Sequence, residues 1–350
     1  MSSVPDRQRA RRRPAGPLAP AFALIFLAPF IAEVLSGATR VSFLFAFVPE
    51  MMMWGCGALL IREQVKRWGG GWTSVLLLGL ALAVFEECVV QQTSLAPLPW
   101  PAISANYGRA YGVNWIYFLY MLGYESVWVV VVPIQATELI FPQWREVTWL
   151  RRSGMVASVL VFLLGARVAW YAWIKRARPM VFHAADYDVP WVTIAAFVMV
   201  IVMLMLLAFL TRHVERGDAT TRSAPPAWSM VAAAMLFGFP WYRLMVLIFG
   251  QRSTQPFWVS MALGLAWGGF AYFFIRYWSV GRGWNDMHRW GLTFGAVLVC
   301  MIAGFSGSSA WPRMDVVGKV VFDAAAGTGF ALLGRRIWAR RGDAEPLWGP

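Results

Sequence analysis

The chain has 350 residues, of which 59% are hydrophobic and 14% charged, and its formal net charge is +13. Ordinary soluble domains carry about 25% charged residues, so this composition argues against a soluble globular protein. The basic excess does not indicate nucleic-acid binding, because the Lys and Arg residues cluster at the ends of apolar stretches, where they set membrane topology. The composition therefore predicts an all-α, polytopic integral membrane protein whose surroundings are the lipid bilayer.

Apolar stretches long enough to cross a bilayer as a helix recur along the chain. They predict about ten transmembrane helices, at residues 18–37, 42–61, 73–95, 113–141, 153–174, 191–211, 229–250, 256–278, 289–309 and 316–335. Together they form a single transmembrane helical domain, 18–338. A basic N-terminal segment, 1–17, precedes it and a C-terminal tail, 339–350, follows it.

The distribution of basic residues predicts the orientation. With the N-terminus in the cytoplasm, most of the 31 Lys and Arg residues fall in cytoplasmic segments, as the positive-inside rule requires. This assignment places both termini in the cytoplasm of a multi-pass protein of the cell membrane, the inner membrane of a bacterial cell. The basic run Lys175-Arg176-Ala177-Arg178 is the exception, because it falls in a predicted outer loop, 175–189.

Several site types are not expected from the sequence. The three cysteines lie in apolar stretches, without the spacing of a disulfide framework or a Cys-based metal site. The three histidines lie in a loop or at span ends, so no metal site is predicted at membrane depth. The sequence contains no Gly-rich phosphate loop and no Ser/His/Asp set. The cofactor, the substrate and the oligomeric state stay unassigned.

Two adjacent glutamates, Glu86 and Glu87, lie inside the third predicted span. A carboxylate at the bilayer centre costs roughly 2.5–3.5 kcal/mol on insertion scales, so this pair needs partners, water or protonation. Glu87 and Gln91 are four residues apart and share a helix face, which predicts a polar outer half of this helix that lines a cavity. Two carboxyl groups in one low-dielectric site cannot easily both ionise, and this condition suits a proton carrier or a general acid/base. The structural alternative is charge pairing with Arg243 or Arg167.

Other acidic residues also fall within predicted spans. Glu50 follows a proline, which opens a helix locally and suits a cation or a polar ligand; a kink with a paired carboxylate is the alternative. Glu125 lies mid-membrane in the fourth span, and Arg243 is predicted as its counter-charge because it too lies mid-span after a proline. Glu33 and Glu138 lie near span ends, where anchoring at the membrane interface is expected.

Residues 49–150 resemble an uncharacterised group of multi-span prokaryotic membrane proteins. The likeness is carried by Pro49-Glu50, the stretch from Gly57 to Glu63, Gly71-Trp72, Glu86-Glu87, Tyr107-Gly108-Arg109 and the stretch from Gly112 to Trp115. The resemblance implies a membrane protein and no particular activity.

More distantly, the stretch Glu86-Glu87-Cys88-Val89-Val90-Gln91 resembles the EExxxR motif of the CPBP family of intramembrane proteases, relatives of the CAAX-processing enzymes. The resemblance implies that Glu86 and Glu87 polarise a water molecule at the scissile bond. Gln91 stands at the arginine position of the motif, and the later histidines of the family have no counterpart in this sequence.

Two functions follow from these residues. In the first, the protein is a catalytically degenerate CPBP-like protease relative, with Glu86 and Glu87 as the catalytic pair. In the second, it is a proton- or cation-coupled transporter whose ion path contains Glu50, Glu86, Glu87, Gln91 and Glu125, with Arg243 as the counter-charge. A membrane scaffold whose charges only pair internally is the third interpretation. Contact among the carboxyl groups and Arg243 is the observation that separates them.

Overall fold

The computed structural model describes residues 18–99, 107–185, 187–214, 222–249 and 254–342. These residues form ten long helical segments, α1 to α10 in chain order: Ala19–Val34, Val41–Trp68, Trp72–Val90, Trp115–Ile140, Arg152–Val181, Trp191–Leu210, Ser229–Phe249, Phe257–Ser279, Asp286–Ala303 and Arg313–Gly342. The sheet in this part of the chain has two short antiparallel strands, β1 (Arg109–Ala110) and β2 (Val113–Asn114). The predicted all-α fold is confirmed.

The helices have the character expected of a membrane protein. Seven of them are long and apolar enough to cross a membrane, namely α2 to α6, α8 and α10. Helix α1 is also apolar but shorter. Each of the ten predicted spans coincides with one of the ten helices in the described residues. Passage of all ten through a membrane stays a prediction, and the basic segment 1–17 lies outside the described residues.

Successive helices run in opposite directions. At one end of the bundle, here called the Thr39 end, the α1–α2 loop lies against the start of α10, and the Ser42 side chain donates to Asp315 at 2.8 Å. At the other end, here called the Trp149 end, the loop after α4 meets the start of α9, where Arg145 and Asp286 form an ion pair at 2.9 Å. The chain therefore alternates between the two ends.

Helix α4 lies at the centre of the bundle. It packs against α1, α3, α7, α8 and α9, and two thirds of its most apolar stretch is buried. Helix α6 is the opposite case, because only 6% of its apolar stretch is buried. An apolar helix whose side chains are exposed on most sides is expected to face lipid. The bundle thus has inner helices around α4 and outer helices that present apolar side chains outward.

Four inner helices contain a π-helical turn, in which the hydrogen-bonding register widens from i+4 to i+5. These turns are Phe30–Val34, Met51–Gly55, Phe85–Val90 and Glu125–Val131. The first two both pack against the last one. Acidic residues lie in these turns or directly before them, at Glu33, Glu50, Glu86, Glu87 and Glu125. Since π-turns occur frequently at functional sites, they mark this region of the bundle.

The predicted outer loop 175–189 is wrong in its first part. Helix α5 continues through the basic run and ends at Val181. Arg178 is buried, and its guanidinium donates to the carbonyl oxygen of Pro97 at 3.1 and 3.2 Å. This contact holds the end of α5 against the loop that follows α3, so the basic run serves helix packing rather than forming a loop.

Candidate carboxyl site

Three carboxyl groups converge in the interior of the bundle. Glu86 and Glu87 come from α3 and Glu125 comes from α4, and one carboxyl oxygen from each lies within 4.8 Å of the other two. Their side chains are 2%, 1% and 1% exposed. These three residues are called the carboxyl cluster below. The structure therefore brings together three of the predicted site residues from two helices.

Both oxygens of Glu86 accept hydrogen bonds. The indole N–H of Trp54, from the π-turn of α2, donates to Oε2, and the Gln91 amide donates to Oε1 at 2.9 Å. The backbone N–H of Gln91 also bonds the carbonyl of Glu86 at 2.8 Å. Because the turn is π-helical, Gln91 pairs with Glu86, five residues earlier, and not with Glu87 as α-helical spacing predicts.

Glu87 is also supplied with donors. The Ser94 hydroxyl donates to Oε2 at 2.8 Å, and the Tyr117 hydroxyl donates to Oε1 at 3.5 Å. Ser94 and Thr93 are buried. Polar residues therefore follow the end of α3, but Thr93 and Ser94 are buried, and of these two only Ser94 donates to a carboxyl group of the cluster. The predicted cavity beside them stays a prediction.

Glu125 differs from the other two. Both of its carboxyl oxygens are buried, and no N–H or O–H donor of the described residues reaches them. One of its carboxyl oxygens lies within 4.8 Å of a carboxyl oxygen of Glu86 and of one of Glu87. An ionised Glu125 would be an uncompensated buried charge, which is costly. A neutral Glu125 removes that charge, and its O–H can donate to the Glu86 carboxylate in a charge-assisted hydrogen bond.

Two more acids extend the group toward the Thr39 end, the buried Glu50 and the half-buried Glu33. Glu50 is 7% exposed, its Oε1 accepts a hydrogen bond from the Thr39 hydroxyl, and its Oε2 has no partner. Glu33 lies in the π-turn of α1 and Glu50 directly before that of α2, and both turns pack against the π-turn of α4 that begins at Glu125. Glu33 was expected at the membrane interface, and its position beside these acids was missed because only the packing of α1 against α2 brings it there.

The described residues provide no counter-charge for these acids. None of their ion pairs joins a Lys or Arg to the carboxyl cluster, Glu33 or Glu50. Arg243 does not meet the predicted partner Glu125: its side chain is exposed, because its neighbours Tyr242 and Leu244 take the buried face of α7. Arg167 instead stacks over the Trp170 ring at 4.4 Å.

A second buried charged group, at the Trp149 end, is fully paired. The Arg62 guanidinium bonds the carboxylates of Glu63 at 2.9 Å and Glu138 at 3.3 Å, and it lies over the Trp149 ring at 3.6 Å. It also donates to the carbonyl oxygens of Trp144, Arg145 and Val147. Glu63 in turn accepts from the backbone N–H groups of Trp149 and Leu150. We call this the Arg62 network. Every charge in it has a partner, which is typical of a structural role.

No known protein family, curated protein or solved structure matches the chain. The likeness to CPBP proteases and to the uncharacterised prokaryotic group has no support from these comparisons. The structure does not supply the histidines of the CPBP family either. In the described residues, the group of side chains that could hold a metal ion consists of glutamates alone. His288 lies at the Trp149 end, where its Nε2 is 2.8 Å from the carbonyl oxygen of Pro225. Function must therefore be argued from the carboxyl cluster itself.

Proposed function

We propose that this protein is a proton- or cation-coupled membrane transporter whose coupling ion binds at the carboxyl cluster. The observation that carries the proposal is the state of Glu125. Its carboxyl group is buried, it receives no hydrogen bond from the described residues, and it lies close to the carboxyl groups of Glu86 and Glu87. Acidic residues inside a membrane domain mark ion and proton pathways. A group of buried acids without a counter-charge is stable only when it holds protons or a cation.

The donor pattern favours a proton over a metal ion. All four carboxyl oxygens of Glu86 and Glu87 already face an N–H or O–H group, from Trp54, Gln91, Ser94 and Tyr117. These donors compete with a metal for the same lone pairs. One proton on Glu125 turns its carboxyl group into a hydrogen-bond donor toward the neighbouring carboxylates without displacing any of these donors.

Infrared spectroscopy tests the proton directly. We expect purified wild-type protein to show the C=O stretch of a buried protonated carboxyl group, and the Glu125→Gln variant to lack it. Glu146→Gln is the matched control, because the Glu146 side chain is 76% exposed. A wild-type spectrum with no band that disappears in Glu125→Gln contradicts the proposal.

Transport itself is tested in proteoliposomes under imposed pH and sodium gradients. Wild-type protein should dissipate at least one gradient faster than Glu125→Gln, whereas Glu146→Gln should behave as wild type. Absence of both fluxes in the wild type counts against the transporter.

The degenerate CPBP-like protease is the alternative, with Glu86 and Glu87 as its catalytic pair. One observation favours it: the three carboxyl oxygens of the cluster are close enough to hold a metal ion. Metal analysis of purified protein, with Glu125→Gln beside it, tests this alternative. It loses its support if no divalent ion binds, or if the same amount binds to the variant.

We also propose that the protein lies in the cell membrane and that both ends of its membrane domain face the cytoplasm. The alternating direction of the ten helices supports the placement of both ends on the same side, since α1 begins and α10 ends at the same end of the bundle. Reporter fusions at residue 1 and residue 350 measure the sidedness. Opposite signals from the two fusions would contradict the topology.

A further inference from the structure

Glu50 continues the series of buried acids from the carboxyl cluster to the Thr39 end. Glu50 lies one helical turn before Trp54, whose indole N–H donates to Glu86, and its carboxyl group accepts a hydrogen bond from the Thr39 hydroxyl. The Thr39 bond occupies Oε1, so Oε2 is left buried and without a partner. A carboxyl group held by one oxygen, with the second free, can accept and release a proton.

Polar groups continue beyond Thr39. Thr39 lines a narrow crevice between the α1–α2 loop and α10, together with Arg40, Asp315 and Lys319. The guanidinium of Arg40 is 4.0 Å from the Asp315 carboxylate and its side chain is 26% exposed. The path from Glu50 through Thr39 therefore reaches the buried Asp315 and Lys319 and, at the surface of this end, the partly exposed Arg40.

The opposite direction is closed by apolar side chains. Helix α4 rises about 20 Å between Glu125 and Glu138 of the Arg62 network. Buried apolar residues along this stretch of the bundle include Leu59, Leu78, Leu82, Val129, Val130 and Ile134, and the polar Ser126 and Thr137 are buried on α4. Between the cluster and the Trp149 end, the described residues 51–61 of α2, 75–85 of α3 and 126–137 of α4 include no Asp, Glu, Lys, Arg or His.

We infer that Glu50 is the proton relay between the carboxyl cluster and the Thr39 end, with Thr39 as its positioning residue. The inference rests on the proposed proton site. The Glu125 proton passes to the Glu86 carboxylate, then to Oε2 of Glu50, and then to solvent at the Thr39 end. A proton from solvent returns to Glu125 through the same groups in reverse, so that each group gives up one proton for each one it accepts. The Thr39 hydroxyl stays bonded to Oε1 and keeps Oε2 turned toward the transfer. In this conformation the carboxyl cluster then exchanges protons with solvent at the Thr39 end and not at the Trp149 end.

Hydrogen–deuterium exchange of the Glu125 carboxyl band tests the relay on the full-length protein in lipid nanodiscs. After transfer to D2O, the band should exchange in Glu50→Gln roughly 10²-fold more slowly than in wild type, a typical effect of losing a positioned proton carrier. Thr39→Val, which removes the hydroxyl at nearly constant volume, should also slow exchange. Thr39→Ser should restore the wild-type rate, because it keeps the hydroxyl. Glu146→Gln should leave the rate unchanged.

The outcomes separate the relay from the proposed function. If the wild type lacks a band that disappears in Glu125→Gln, the proton site and the relay both fail. If that band is present but exchanges equally fast in wild type, Glu50→Gln and Thr39→Val, the relay is overturned and the proton site stands. If Glu50→Gln does not fold, the Thr39→Val and Thr39→Ser pair decides, and equal rates in those two overturn the relay.

Discussion

Arg62 provides the sharpest test of the difference between paired and unpaired buried charges. Arg62→Met keeps a long side chain against the Trp149 ring but removes the guanidinium. The carboxylates of Glu63 and Glu138 and three backbone carbonyls then lose a donor at once. Glu63 and Glu138 are 0% and 3% exposed, so water cannot readily replace the missing donor.

The expected cost follows from these contacts. Removing one partner of a buried ion pair costs about 3–5 kcal/mol, because the other charge stays buried and uncompensated. Lys66 lies 3.5 Å from Glu138 and Arg67 lies 3.4 Å from Glu63, so part of the compensation survives. We therefore expect the lower part of the range, about 3 kcal/mol less stability for Arg62→Met.

The assay is reversible unfolding of the purified protein in detergent micelles. Arg152→Met is the matched control, because the Arg152 side chain is exposed at the start of α5. The control should stay within about 0.5 kcal/mol of wild type, as is usual for exposed positions. If the free energy of unfolding of Arg62→Met is within about 1 kcal/mol of that of the control, the Arg62 network does not stabilise the fold. Complete pairing of buried charges would then not indicate a structural role in this protein.

The remaining predictions concern the cluster, the packing and the cysteines. Glu125→Gln should unfold at the same free energy as wild type or up to about 1 kcal/mol higher, because an amide can donate to the neighbouring carboxylates; a loss above 2 kcal/mol in the same unfolding assay would contradict this. Gly55→Ala should destabilise by about 1–3 kcal/mol, because a Cβ there meets the backbone of Ile25, while Gly269→Ala, with open space, should not. Equal melting temperatures for the two glycine variants would refute the close approach of α1 and α2. Native protein should resist maleimide labelling, followed by mass spectrometry, at its three buried free cysteines, Cys56, Cys88 and Cys300; rapid labelling would show that the inner helices open.

The helices were predictable because the signal is local. A run of apolar residues long enough to cross a bilayer favours a helix, the structure that satisfies all backbone groups within one segment. The ten predicted spans therefore match ten helices in the described residues. The pairing of Lys319 with Asp323, four residues apart on α10, is the same kind of local relation. The end of α5 was not predictable, because the contact of Arg178 with Pro97 is made between segments far apart in sequence.

The sequence by itself also indicated that Glu50, Glu86, Glu87 and Glu125 are buried, since each lies well inside an apolar stretch. It did not indicate that Glu138, which was expected at the membrane interface, is buried as well, because that burial depends on the Arg62 network. Only the tertiary structure decided which of them meet, and that they meet without Arg243. Two physical causes account for the difference. The π-turns shift side-chain directions away from α-helical spacing, so that Gln91 serves Glu86. Helix packing then sets every distance between α1, α2, α3 and α4, and these distances depend on side chains throughout the bundle.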